Sequence, residues 1–297
     1  MGLAPSKSSG RATDEHGCVD RGPFPWGPIA WGLSVMRAYM RIGWVRKSQF
    51  RWEFLNQVLM DLLFYVSFVL TFKILYGLGG SEGGALSLAG WSYGEVRVYL
   101  GMAFVADALV MTFLGQQWHF GADLKDGKLD SFRVRPGSTA FLYFFQRFSP
   151  EGLTNLAIAA SWLGYSLASG FGSLGLGLDL LWTLPAALVV IAFSQVFLMI
   201  AYNSVELWLM HSDVGHMASL MLSNLGERPL EVYPRMLSRA LKFVMPVAAL
   251  AWYPASLVLG RLDPSFAAFY PLVLVAFAWV TARIFRRGLR NYESAMS

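Results

Sequence analysis

Residues 118–148 read WHFGADLKDGKLDSFRVRPGSTAFLYFFQRF, a charged and turn-rich island between two long apolar blocks. Lys125, Lys128, Arg133, Arg135 and Arg147 stand in it against Asp123, Asp126 and Asp130. Flanked by blocks of membrane length, the island must lie at a membrane surface, because its charges and open turns cannot be satisfied in hydrocarbon. Its basic excess assigns it to the inner surface, where Lys and Arg collect in short loops. Turn signals at Asp126-Gly127 and Pro136-Gly137 flank a short helical piece, so the island reads as a compact knob tied to the segments on either side. Pro136 forbids helix continuity and holds Arg135 extended.

Composition agrees. The 297 residues are 55% hydrophobic and 14% charged, against about 25% charged in soluble domains. A polytopic membrane protein of one domain follows. The net charge of +5 would point to nucleic acid in a soluble chain; here the basic residues sort by topology, and no nucleic-acid partner is expected. Cys18 is the sole cysteine, which excludes an intrachain disulfide and a cysteine-based metal cluster.

About 20 apolar residues are needed to cross a bilayer. On that length the spans fall at 54–76, 96–116, 152–170, 180–208, 241–259 and 266–284. Pro246 and Pro254 mark the fifth as kinked or broken. With both termini inside, 21 of the 24 Lys and Arg lie on inner segments, among them Arg228, Arg235, Arg239 and Lys242 in the loop after span four. Trp52, Trp118 and Trp208 fall at inner ends and Trp91 and Trp182 near outer ones, as an aromatic belt requires. The outer loops are short, Gly-rich and too small to form a binding domain. Ahead of the first span, 29–52 reads as a basic amphipathic helix lying in the headgroup layer. Trp31, Val35, Ala38, Tyr39, Ile42, Val45, Phe50 and Trp52 form its apolar face, with Arg37, Arg41, Lys47 and Arg51 opposite and Arg46 breaking the pattern. Residues 1–28 form a disordered tail, rich in Gly, Pro and Ser, whose first six residues fit a loose N-myristoylation string. Residues 291–297 form a C-terminal tail. The fold class is thus an all-α membrane protein with six transmembrane helices, an interfacial elbow helix and cytoplasmic termini.

Chemistry-bearing motifs are few. The nearest string to a phosphate-binding loop, Gly121 to Leu129, has one residue too many between its glycines and a leucine where Ser or Thr is needed. His211, Asp213 and His216 do not align on one helical face and read as a polar turn, with no metal expected. Asp61 and Asp107 lie in consecutive antiparallel spans, each about 10 Å inside the inner boundary at 1.5 Å per residue. Two readings stand open for them: acids hydrogen-bonded for structure, or a pathway lining for a cation or proton. The second would suit a gradient-driven secondary transporter. Glu206 reads as an interface residue paired with a basic neighbour.

Local strings carry a resemblance. Gly127-Lys128-Leu129-Asp130 followed by Arg135-Pro136 resembles the G-x-L-D…R-P signature of ABC-2-type exporter permeases. Phe243-Val244-Met245-Pro246 and Trp252-Tyr253-Pro254-Ala255 resemble the F-x-x-P…Y-Y-P-A run of one branch, and the string from Arg228 to Pro234 looks like the segment preceding it there. Ser131-Phe132-Arg133-Val134 departs from the usual Leu-rich stretch, and Trp252 replaces a frequent Tyr. The resemblance implies a permease of the prokaryotic plasma membrane, exporting an amphiphilic, lipid-linked or hydrophobic substrate. It implies two copies of a separate ATPase subunit, which bind ATP and Mg while this chain binds no cofactor, and a second permease, related or identical. The ATPase contact would be carried by Asp123, Lys125, Gly127, Lys128, Leu129, Asp130, Arg133, Arg135 and Pro136. With Cys18 replaced by Ser, a Ser131→Cys variant should resist a membrane-impermeant maleimide in intact cells and react after permeabilisation; labelling of intact cells would invert the topology.

Overall fold

The computed structural model describes residues 28–48, 51–78, 89–135, 137–172, 174–209 and 214–292. Of the expected tails at 1–28 and 291–297, residues 1–27 and 293–297 lie outside the described residues, as do His211, Asp213 and Pro136, whereas Pro28 opens one helix and Asn291 closes another. The chain divides into two compact units, 1–38 and 39–297. In the first, the start of α1 (Pro28–Ser48) is helical, with Ser34 Oγ donating to the Trp31 carbonyl at 2.7 Å. All that follows concerns the second.

The described residues are helical, without β-strands. Among the described residues, four helices are long and apolar enough to cross a membrane, beginning with α2 (Arg51–Leu78). Next comes α3 (Tyr93–Leu109), which continues through a π-turn at Val110–Leu114 and a 3-10 turn at Gly115–His119 into α4 (Phe120–Lys125). The others are α8 (Leu180–Leu209) and α12 (Pro264–Asn291). The α3 path is the centre of the bundle: 72% of its apolar stretch is buried, against 11% for α2, 28% for α8 and 22% for α12. Its start is set by a capping box in which the Ser92 hydroxyl accepts the Glu95 N–H while Glu95 accepts the Ser92 N–H.

The expected third span is α7 (Pro150–Gly170), opened by a proline at its first position. Thr154, Asn155, Ser161, Ser166 and Ser169 dilute its hydropathy, and it is not among the four. It nevertheless runs antiparallel along α3. Gly152 abuts Thr112, Gly101 abuts Leu163, and Leu174 just past α7 closes on Gly94. A β-carbon on Gly152 would lie 2.5 Å from the Thr112 backbone, and one on Gly101 2.8 Å from Leu163. Such backbone contact is how membrane helices gain packing without a hydrophobic driving force. The π-turn serves the same junction, since the Ser149 N–H donates to the Thr112 carbonyl at 3.0 Å.

The expected fifth span, 241–259, is not a helix. It comprises the end of α10 (Arg235–Phe243), a 3-10 turn at Val247–Ala249 and α11 (Trp252–Val258). Pro246 is buried at the break, whereas Pro254 is the third residue of α11, where a missing N–H costs nothing. The ascending element is instead α9 (Val214–Gly226), which starts beside Glu206 and Tyr202 and ends where the Tyr99 hydroxyl donates to the Gly226 and Arg228 carbonyls at 2.6 and 2.7 Å. The Glu206 carboxylate accepts the His216 N–H at 3.2 Å and so caps α9.

Beyond α9 the chain reaches the end of the bundle that holds Trp91. The two Glu231 carboxylate oxygens accept the indole N–H groups of Trp91 and Trp252 at 2.9 and 2.7 Å, and Lys242 lies 3.7 Å over the Trp252 ring. Arg261 covers Trp91 and donates to Glu95 at 2.8 Å. Arg228, Arg235, Arg239 and Lys242 therefore belong to the Trp91 end, opposite the island, contrary to the charge count. Trp91 itself is 1% exposed and packs edge-on against Tyr99, so it belongs to the core and not to an aromatic belt.

Residues 39–48 of α1 return to the other end. Tyr39 donates to the Leu142 carbonyl, Gly43 sits against the Phe148 carbonyl, and Lys47 pairs with Glu151 at 3.1 Å. Ile42 and Val45, assigned above to one face with Tyr39, are exposed at 57% and 55%; the small Gly43 is what meets the protein. A Gly152→Val substitution should destabilise the fold by about 1–3 kcal/mol, read as a lower melting temperature in detergent. Gly164→Ala, with nothing near its new methyl, should leave it unchanged.

Candidate docking surface and membrane cavity

The helical run Tyr93–Lys125 counts 33 residues, on the order of 50 Å at 1.5 Å per residue. That exceeds the ~30 Å hydrocarbon core, so its last turns project beyond it. Asp123 organises the projection. Its carboxylate, 13% exposed, accepts from Gln116 Nε2 at 2.7 Å, the Tyr143 hydroxyl at 2.8 Å and Lys128 Nζ at 2.8 Å. Gln116 stands two turns earlier on the same helical path, and Tyr143 comes from α6 (Thr139–Phe144), whose start Ser138 caps. One carboxylate thus joins three segments.

Gly127 makes this possible. Its φ of +68° ends α4 with Lys128 N–H bonded to the Asp123 carbonyl and Gly127 N–H to that of Leu124, the pairing a glycine in the left-handed region allows. The turn returns the Lys128 ammonium onto Asp123 and Asp126, at 2.8 and 2.9 Å. These two carboxylates hold its pKa above the ordinary lysine value. Burial raises that of Tyr143, which therefore stays a hydrogen-bond donor.

Below the turn lies an aromatic floor. Phe120 meets Tyr143, Phe144 and Phe285 of α12, while Phe132 of α5 (Asp130–Arg133) meets Tyr143 edge-on. Leu129 is 1% exposed beneath them. The residue after α12 completes the clamp: the Tyr292 hydroxyl donates to the Leu124 carbonyl at 3.2 Å, and Arg133 donates to the Tyr292 carbonyl at 3.5 Å and lies over its ring. Of the residues singled out by sequence, Gly127 and Leu129 shape the turn, Asp123 holds it together, and Asp130 faces Arg133 at 3.7 Å. Lys125, Lys128, Arg133 and Arg135 are exposed and make up a basic crown, together with Val134, which is 85% exposed. Arg135 rests 4.7 Å over the Phe132 ring. At the foot of the crown Arg46, His119, Lys128 and Arg147 border a groove of about 400 Å³.

The sequence reading missed Gln116, Tyr143 and Tyr292. The run FLYFF at 141–145 was the available signal, being too aromatic for a solvated loop.

In the membrane region, Asp61 and Asp107 go separate ways. Asp61 accepts from Gln57 at 2.9 Å and from Asn155 of α7 at 2.7 Å. Asp107 accepts the Tyr65 hydroxyl at 2.9 Å. Asp107 also lines a cavity of about 200 Å³, with Gln195 and Tyr202 of α8, Ser219 of α9 and Glu227 just beyond it. Asp61 is not on that wall. Glu227 was overlooked because 214–226 was read as part of an inner loop, which placed it outside the membrane.

An Asp123→Ala substitution would leave the Tyr143 hydroxyl proton buried without its acceptor, while Gln116 keeps only its bond to the Tyr143 oxygen at 3.1 Å, a cost of about 1–3 kcal/mol. Amide hydrogen exchange over 120–135 should accelerate by about tenfold or more, with Asp123→Asn intermediate and Lys125→Ala unchanged.

Compared with known proteins, the chain matches a family described as ABC-2 family transporter protein over residues 59–296, a region that includes the knob, the cavity and α12. No curated protein matches it.

Proposed function

The chain belongs to the ABC-2 family of transporter proteins and is the multi-pass membrane permease subunit of an ATP-binding cassette transporter, not itself an ATPase; from that premise we propose that its 118–148 knob is the docking surface for the ATPase. The observation that carries this reading is mechanical. The knob is continuous with α3, and Asp123 and Asp107 stand 16 residues apart on one helical path, roughly 24 Å along a single rod. Tyr292 ties the same knob to α12. A partner that pushes on the crown displaces α3 and α12 together, and with α3 the wall of the cavity. Helices packed backbone to backbone, as α3 and α7 are, transmit such a shift as a rigid-body movement.

The crown's chemistry suits a protein partner with an acidic, partly apolar cleft: four basic side chains together with an exposed Val134. Two ATPase copies, each with its own ATP and Mg, would dock under two permeases, the second being a relative or a second copy of this chain. The exposed apolar sides of α2 face lipid or that second permease. Movement of the rod opens the cavity alternately, and export of an amphiphile from the plasma membrane is the transport direction proposed.

The topology proposed is six crossings, with α1 as an interfacial elbow and both chain ends on the cytoplasmic side. Its support is the alternation α2, α3, α7, α8, α9, α12, with residues 39–48 and Tyr292 both packed at the knob end. The fifth crossing is α9 with the segment reaching Glu231, and α10 and α11 form a hairpin at the far surface. The basic excess still lies at the knob end, through Arg41, Arg46, Lys47, the crown, Arg147 and the Arg283, Arg286, Arg287 and Arg290 face of α12.

Lys125→Glu combined with Arg135→Glu should abolish co-purification of the ATPase and substrate-dependent ATP hydrolysis while leaving the melting temperature of the permease unchanged. An ATPase that binds the doubly reversed crown as it binds wild type would overturn the docking reading.

A further inference from the structure

The cavity beside Asp107 has features that a passive gap between helices does not need. Two carboxylates, Asp107 and Glu227, line it, and no Lys, Arg or His does. Carboxylates at membrane depth are costly, and those that persist face a partner or a wet pathway. Asp107 has one donor, the Tyr65 hydroxyl, and a carboxylate offers several further acceptor positions. A third polar group points the same way. Tyr202, 3% exposed and on the cavity wall, has a buried hydroxyl with no hydrogen-bond partner. Buried hydroxyls in native structures are nearly always satisfied, so an orphan on a cavity wall marks a place where a ligand atom belongs.

Gln117, Gln195, Ser219, Ser223 and Asn224 add uncharged polar groups to the wall, and the remainder is apolar. Phe64, Met111, Trp118 and Met199 contribute to it, and Phe64 and Leu220 at its margin are 49% and 44% exposed. The cavity therefore opens sideways between α2 and α9, towards the surface that lipid covers. Its volume of about 200 Å³ equals roughly six or seven liquid waters at ~30 Å³ each. That is enough for a polar head and its first methylenes and too little for a drug-sized molecule.

We propose that this cavity binds the protonated amine headgroup of an amphiphile, with Asp107 and Glu227 accepting two of its N–H bonds, the Tyr202 oxygen accepting the third, and the tail lying past Phe64 and Leu220 in the bilayer. A primary ammonium has three donors and one positive charge, which suits the oxygens of Asp107, Glu227 and Tyr202 and a wall that carries no Lys, Arg or His. Phosphate, carboxylate and sugar headgroups do not: anions would meet two like charges, and a neutral polyol would leave both carboxylates uncompensated. Arg228 follows Glu227 in sequence but is not on the wall; its carbonyl is taken by Tyr99. The assignment rests on the pathway role proposed for the cavity and names the substrate class that role would serve.

The test is binding of octylammonium to the purified full chain in zwitterionic nanodiscs at neutral pH, read by the fluorescence of Trp118, which lies on the wall. Octyltrimethylammonium, charged but without N–H donors, and octanol, neutral, are the comparison probes. Octylammonium should bind saturably, octyltrimethylammonium about tenfold more weakly, and octanol without saturation. Asp107→Asn with Glu227→Gln should remove the saturable component, and Tyr202→Phe should erase the preference for octylammonium over octyltrimethylammonium. Glu53→Gln, remote from the cavity, should bind as wild type. If the double variant cannot be purified, Glu227→Gln alone should still weaken octylammonium about tenfold. Saturable octanol binding of equal affinity, carboxylate variants that bind like wild type, or an unaltered amine preference in Tyr202→Phe would each overturn the assignment. The assay contains no nucleotide and no ATPase, so its failure removes the headgroup site and leaves the docking surface standing. Loss of the docking result has the converse effect.

Discussion

A bilayer offers no water to an unpaired backbone group, so a helix that leaves one surface must keep its N–H and C=O groups bonded until it reaches the other. The path from Tyr93 to Lys125 meets that demand while changing its winding twice, through a π-turn and a 3-10 turn. The change of winding is not free play. The π-turn presents the Thr112 carbonyl to Ser149 and brings Thr112 against Gly152, which locks the start of α7 onto the rod. The 3-10 turn aims Gln116 at Asp123. Much of the bundle is arranged around this path: α7 beside it, Gln195 of α8 bonded to its Ala106 carbonyl at 2.9 Å, and α9 ending on its Tyr99.

The same rod carries a carboxylate at each level where chemistry or contact is proposed. Asp123 faces three donors outside the membrane and is a structural keystone of the knob. Asp107 faces one donor and a cavity. Asp61, on the neighbouring helix, has one donor on each oxygen, Gln57 and Asn155, and ties α2 to α7. Three aspartates that look alike in sequence thus differ by the number of donors around them, and the least satisfied is the one with room for a ligand. Asp61 and Asp107 are bonded each to its own partners and not to one another.

At the far end, Glu231 bridges two indoles, while Arg261 and Lys242 cover the outer faces of Trp91 and Trp252. Each cation over a ring contributes about 0.5–2 kcal/mol, more where desolvated. The contact with Trp252 accounts for Lys242 at the end opposite the island. The positive-inside rule describes an excess over short loops and does not place each residue; Lys242 is held by the Trp252 face, and Arg228 and Arg235 flank the Glu231 segment that the two tryptophans hold down.

Composition, the length of the apolar blocks and the 118–148 island were enough to indicate a polytopic all-helical membrane protein with a charged knob, because hydrophobic length and charge are local properties that the bilayer reads directly. The family strings reinforced that reading for the same reason: turn glycines and prolines act within a few residues. What a linear reading could not decide was which apolar segment crosses and which turns back. The stretch 241–259 has the length of a span, yet it breaks at Pro246 into α10 and α11, while the shorter α9 starts on a cap supplied by Glu206 of α8. Nor could it separate Asp107 from Asp61, or find Glu227, Tyr202, Gln116 and Tyr143. Their roles depend on donors and empty space supplied by other helices, and only packing in three dimensions brings those together.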